Sequence, residues 1–128
     1  NHSVTVFQRR NRTLSGGELR YGAKPVTIIR DAQLRYPHSV AFTPQTNHLI
    51  VTNAGANYFS VYEPGGYFTT RWSQSPLLQK TVGEEEAFRR VNCENKREGG
   101  PKGVAVHDGN LAVCSPAFGV KIYSFREA

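Results

Sequence analysis

Tyr36-Pro-His-Ser-Val-Ala-Phe-Thr-Pro44, Asn47-His-Leu-Ile-Val-Thr-Asn53 and Asn57-Tyr-Phe-Ser-Val-Tyr62 form three short apolar runs separated by turn residues. The same order returns further along as Gly100-Pro-Lys-Gly-Val-Ala-Val106, Gly109-Asn-Leu-Ala-Val-Cys-Ser115 and Gly119-Val-Lys-Ile-Tyr123. Pro101 follows Pro37 by 64 residues, Gly109 follows Asn47 by 62, and Ile122 follows Val61 by 61. Three runs in fixed order, with small deletions between copies, mark a repeat architecture in which each unit buries its apolar face against a neighbour.

Outward from these copies, β-type runs dominate. Ser3–Phe7 and Pro25–Ile29 read as two strands flanking a polar turn region with Ser15-Gly-Gly17 as its breaker. Ser39–Phe42 is short and apolar, as expected of a strand buried on both faces. His48–Thr52 and Tyr58–Tyr62 follow, and Phe68–Trp72 reads as a sixth, outer strand. Pro76–Gly100 is polar, with a short helix expected near Glu84–Arg90; acids in its first turn and Arg89 and Arg90 in its last would suit the helix dipole. Gly103–Val106, Asn110–Cys114 and Val120–Phe125 then repeat the third, fourth and fifth strands.

Val4–Phe7 also resembles Phe59–Tyr62, 55 residues later. A repeat of this length holding four strands fits the blade of a β-propeller. The expected fold is all-β: propeller blades of four antiparallel strands, about two and a half of them. The end of one blade would cover residues 1–33, a full blade with a long outer insertion 34–99, and most of the next 100–128. The alternative is a β-sandwich with coincidental similarity. Propellers close with roughly 4–8 blades, and open terminal edges are avoided. The chain is therefore expected to belong to a longer propeller or to complete a ring with copies of itself. Its start at Asn1 and its lack of Met agree with a mature chain, an excised domain or a fragment.

Composition narrows the function classes. Hydrophobic residues make up 38% and charged residues 20%, which separates the chain from disordered sequences. The net charge of +6 comes from basic residues scattered along the chain, with no nucleic-acid motif beside them, so a solvated basic surface is expected and neither nucleic acid nor membrane is an expected partner. Two cysteines are too few for a disulfide scaffold. Cys114, aligned with Thr52, is expected as a small buried residue, and Cys93 in a polar loop; their pairing stays open. The cysteine usage leans toward a reducing, cytoplasmic compartment. His2, His48 and His107 lack metal-ligand spacing. The Gly-Gly pairs match neither GxGxxG nor a P-loop. No metal and no cofactor are expected.

The first copy looks like the YVTN repeat of lactonase-like seven-bladed propellers, through Pro37-His38-Ser39-Val40-Ala41-Phe42-Thr43-Pro44, His48-Leu49-Ile50-Val51-Thr52-Asn53, Gly55, and Asn57 before Ser60-Val61-Tyr62. The resemblance is good over Tyr36–Pro64, fair over Gly100–Phe125 and weak at the N-terminus. It implies a relation to phosphogluconolactonase-like and muconate-cyclising enzymes and to propellers with no assigned activity. The repeat identifies the blade, not the reaction.

In that fold the starts of innermost strands and the turns between second and third strands share one face, the usual ligand side. His38 and Lys102 stand at equivalent strand starts, and Asn53 and Ser115 at equivalent strand ends. A small-molecule or protein ligand is expected there. The resemblance makes His38 the candidate general base for lactone hydrolysis, with Lys102 or Arg35 stabilising the developing oxyanion. The ordinary alternative for His38 is a hydrogen bond at the strand start. A related propeller family binds a divalent cation through Glu, Asn and Asp; Asn53 alone would supply one oxygen, and otherwise caps its own turn. The departures are Lys102 where the first copy has His38, and Asn57 where lactonase repeats often carry Asp.

Overall fold

The computed structural model describes residues 2–10, 20–21, 24–65, 72–94 and 97–125, with 9–10 and 20–21 described by backbone alone. The fold is mostly β with one short helix. β5 (Pro37–Phe42), β6 (Leu49–Asn53), β7 (Tyr58–Tyr62) and β8 (Leu78–Thr81) form an antiparallel four-stranded sheet in chain order. β9 (Gly103–His107), β10 (Asn110–Ser115) and β11 (Gly119–Ser124) form a three-stranded sheet in the same order. β1 (Val4–Val6) pairs with β4 (Thr27–Ile29). β2 (Arg9–Arg10) pairs with β3 (Arg20–Tyr21), a ribbon in the stretch expected to be turn alone. The Ser15–Gly17 turn lies outside the described residues.

Side-chain alternation stacks these sheets. Leu49, Val51 and Tyr62 point from one face of the four-stranded sheet into a core shared with Ile29, Val4 and Val6 of the β1–β4 ribbon. Ile50, Phe59 and Val61 point from the other face into a second core with Leu111, Val113, Val104, Val106 and Tyr123 of the three-stranded sheet. The equivalence of the copies extends to these faces: Leu111 and Val113 pack back on the preceding sheet as Leu49 and Val51 do. β6 is thus buried along its whole length. Each fully buried aliphatic side chain of this kind contributes about 1.5–3 kcal/mol. The edge strands β5 and β9 adjoin.

Several expectations need correction. β5 is not buried on both faces: Val40 and Phe42 are 49% and 47% exposed, because the β1–β4 ribbon covers β6 and β7 but stops short of β5. The place beside β7 is taken by β8, in a stretch whose polar composition suggested a connector; all four of its residues are exposed. The outer strand expected at Phe68–Trp72 lies outside the described residues except for Trp72, which is buried and bridges Pro64. Helix α1 (Glu85–Glu94) runs a turn further than expected and has no basic residue in its last turn. Glu85 and Glu86 still complement its N-terminus, and Phe88 is its one buried residue. Cys93 lies on this helix rather than in a loop. Cys114 is exposed, not buried, because it shares the uncovered outer face of the three-stranded sheet with Val120 and Ile122. Both cysteines are free.

Candidate functional site

The connector from Arg30 to Tyr36, between β4 and β5, meets the turn between β6 and β7. Arg35 N–H donates to Asn53 Oδ1 at 3.0 Å, Ala54 N–H to the Tyr36 carbonyl at 3.0 Å, and Gly55 N–H to the Arg35 carbonyl at 3.0 Å. Tyr36 has φ +50°, left-handed backbone that costs a bulky residue on the order of 1–3 kcal/mol. These bonds hold it there, and its ring lies close over Gly55: a Cβ at position 55 would lie 2.5 Å from Tyr36 Cδ2, so the ring would have to shift to admit one. The chain then turns into β5 through Pro37, and a register shift between Pro37 and Ser39 makes His38 the extra residue of a β-bulge. Bulges of this kind re-aim a side chain.

His38 is exposed, and its Nδ1 lies 3.1 Å from the Lys102 carbonyl across the β5–β9 seam. A carbonyl only accepts, so Nδ1 carries the hydrogen, and the neutral ring keeps its lone pair on Nε2. The same carbonyl accepts Thr52 Oγ1 at 3.0 Å, while Thr52 Oγ1 accepts the Ser39 N–H at 3.0 Å. The Lys102 N–H donates to the Cys114 carbonyl, and its ammonium lies 3.4 Å from Glu98 Oε2. Thr52 is fully buried and joins the two sheets at this point. Thr52→Val keeps the shape but removes these bonds; it is expected to lower unfolding stability by about 1–3 kcal/mol in urea titrations, and an unchanged midpoint would show that the hydroxyl ties nothing together.

Among the five residues singled out from sequence, His38 and Lys102 come together, through the lysine's backbone rather than its ammonium. Asn53 is fully buried with both amide ends used: Oδ1 accepts from Arg35, and Nδ2 donates to Ser60 Oγ at 3.1 Å. Ser115 is buried, and its Oγ accepts the Phe118 N–H at 3.1 Å within its own turn. Arg35 lies on the connector, its Nη1 donating to the Ala32 carbonyl at 2.6 Å. Beside it a cavity of about 500 Å³ is lined by His2, Arg30, Asp31, Ala32, Leu34 and Arg35. Sequence reasoning missed Arg30 and His2. The 55-residue offset was the available signal, since it puts His2 at the place of Asn57, in the turn before the third strand of a repeat.

Among the described residues no three His, Cys, Asp or Glu side chains converge as metal ligands, and no helix is long and apolar enough to cross a membrane. No family model matches the chain, and neither a curated protein nor a solved structure matches it.

Proposed function

We propose that the chain is a segment of a lactonase-like β-propeller serving as a binding scaffold, with a small-molecule or protein ligand at the channel mouth. Residues 34–99 are read as one full blade, flanked by parts of two others. The observation that carries this reading is the seam at His38. Equivalent strand starts of two successive sheets meet there, as innermost strands do around a propeller channel, and a polar cluster of His38, Thr52 and Lys102 spans them. The exposed apolar side chains, Val40 and Phe42 beside the β1–β4 ribbon and Val120 and Ile122 on the outer face of the three-stranded sheet, favour further strands and blades as partners, from a longer chain or from other copies.

A second reading, lactone hydrolysis, is favoured by the free lone pair on His38 Nε2. Water would attack the lactone carbonyl as Nε2 takes its proton. The ring C–O bond would break, and the proton would pass to the departing alkoxide to give the hydroxy acid. Lys102 or Arg35 would supply positive charge for the oxyanion.

One experiment separates the readings. Sugar lactones and the matching acids are titrated by NMR while lactone opening is followed by pH-stat. Shifts centred on His38, Thr52 and Lys102 without turnover support the scaffold. Turnover that falls by roughly 100-fold or more in His38→Gln supports the hydrolase. Shifts that avoid the seam, with no turnover, reject both.

A further inference from the structure

We infer that the cavity beside the β4–β5 connector is a binding site for a small oxyanion, a carboxylate- or phosphate-bearing molecule held by Arg30, Arg35 and His2. This stands independently of the propeller reading, since it rests on the connector and His2 beside it.

The charge of the cavity comes first. Two arginines, Arg30 and Arg35, line it, with Asp31 as its one acid. The Asp31 carboxylate is already engaged: Oδ1 accepts the Gln33 N–H at 3.0 Å, and Oδ2 accepts the Tyr62 hydroxyl at 2.8 Å. The Arg30 guanidinium has no partner among the described residues. Arg35 spends Nη1 on the Ala32 and Leu34 carbonyls, which leaves Nε and Nη2 to donate. His2 Nδ1 lies 3.2 Å from the Leu34 carbonyl and 3.3 Å from the Tyr36 N–H, so its Nε2 donates in one tautomer and accepts in the other. In either tautomer the two arginines leave the lining with unspent N–H donors.

The second observation is preorganisation. The connector is pinned at nearly every residue: Arg30 N–H to Gln74 Oε1, Leu34 N–H to the Asp31 carbonyl, Tyr58 Oη to the Gln33 carbonyl, and Arg35 N–H to the fully buried Asn53. Leu34 is itself buried in the first core. Two guanidinium groups are thus mounted on backbone that ordering by a ligand need not fix, which lowers the cost of binding. Planar guanidinium forks match carboxylate and phosphate oxygens.

The test is a ¹⁵N NMR titration of the whole chain with inorganic phosphate and, separately, citrate, at constant ionic strength, with sodium chloride as control. Saturable shifts are expected at the amides of residues 30–36 for at least one of the two anions, and which anion binds tighter assigns the class. Arg30→Gln is expected to weaken binding by at least about tenfold while leaving the rest of the spectrum in place. Arg35→Gln should weaken it too, and Arg89→Gln, on the exposed face of α1, should not. Absence of saturable shifts with both anions, equal shifts in chloride, or an Arg30→Gln protein that titrates like the parent would overturn the assignment.

Discussion

Gly100→Ala is expected to lose at least about 3 kcal/mol of stability, read as a lower urea midpoint with an unchanged slope. Gly100 lies where the connector from α1 passes under the β6–β7 turn, and its N–H donates to the Ala54 carbonyl at 2.8 Å. A Cβ there would sit 1.8 Å from the Ala56 carbonyl oxygen and 2.6 Å from that of Asn53. Both obstacles are backbone, and the turn they belong to is buried: Ala54 is 0% exposed and Asn57 4%. Relief requires moving the turn that also holds Arg35 and Tyr36. Gly83 supplies the contrast. Its Cβ would meet the ring of Phe118 at 2.3 Å, but that ring is only half-buried and can rotate away, so Gly83→Ala is expected to cost about 1 kcal/mol. Equal midpoints for the two variants would refute the distinction between backbone and side-chain obstruction.

Tyr62→Ala is expected to cost about 3–5 kcal/mol, the usual range for emptying a buried aromatic site. Tyr62 has no exposed surface and packs among Leu49, Val51 and Trp72. Tyr62→Phe separates packing from hydrogen bonding: it keeps the ring and removes the donor to Asp31, for about 1.5–3 kcal/mol. The phenol also links stability to pH. Burial, reinforced by the adjacent Asp31 carboxylate, raises its pKa well above the ordinary value of 10.0. The folded protein therefore favours the protonated phenol. That contribution is fully present below about pH 10 and is lost as pH climbs from the unfolded value toward the folded one. The stability gap between parent and Tyr62→Phe should narrow above roughly pH 10. A gap that stays constant from roughly pH 8 to 11 would show that the hydroxyl is not the titrating group. Tyr58 and Tyr123, whose pKa values are also raised by burial, remain in both proteins.

The strands of the two copies were legible because their neighbours constrain them. His48–Thr52 and Asn110–Cys114 lie within a residue of β6 and β10; β6, between two sheets, is apolar toward both, and β10 keeps Leu111 and Val113 on its one covered face. β8 was illegible for the opposite reason. Leu78 and Lys80 share the face of Phe59 and Val61, yet among the described residues no strand beside β11 covers them, so nothing in Leu78-Gln79-Lys80-Thr81 records a buried side. Cys114 was misread by the same logic, since its aligned partner Thr52 lies under the following sheet while Cys114 is exposed, with no described sheet over it. At the candidate site, the pairing of His38 with Lys102 followed from the repeat, but the use of a backbone carbonyl did not: alignment compares side chains, and a carbonyl has no letter. Asn53 likewise shows no mark in sequence of the two bonds that turn it inward.

The facing rule of the stack has a consequence for symmetry. Each sheet turns one kind of face to the sheet before it, as with Leu49 or Leu111, and another away from it, with Phe59 packed on the next sheet and Val120 exposed on the last. The molecule therefore has a direction, with unlike ends. A two-fold axis sets identical surfaces against each other, so a symmetric dimer repeats none of the contacts that hold this chain together. Copies that do repeat them must join front to back. Such an assembly has two fates, set by the rotation between successive copies: it closes into a ring of fixed number, or it lengthens without limit.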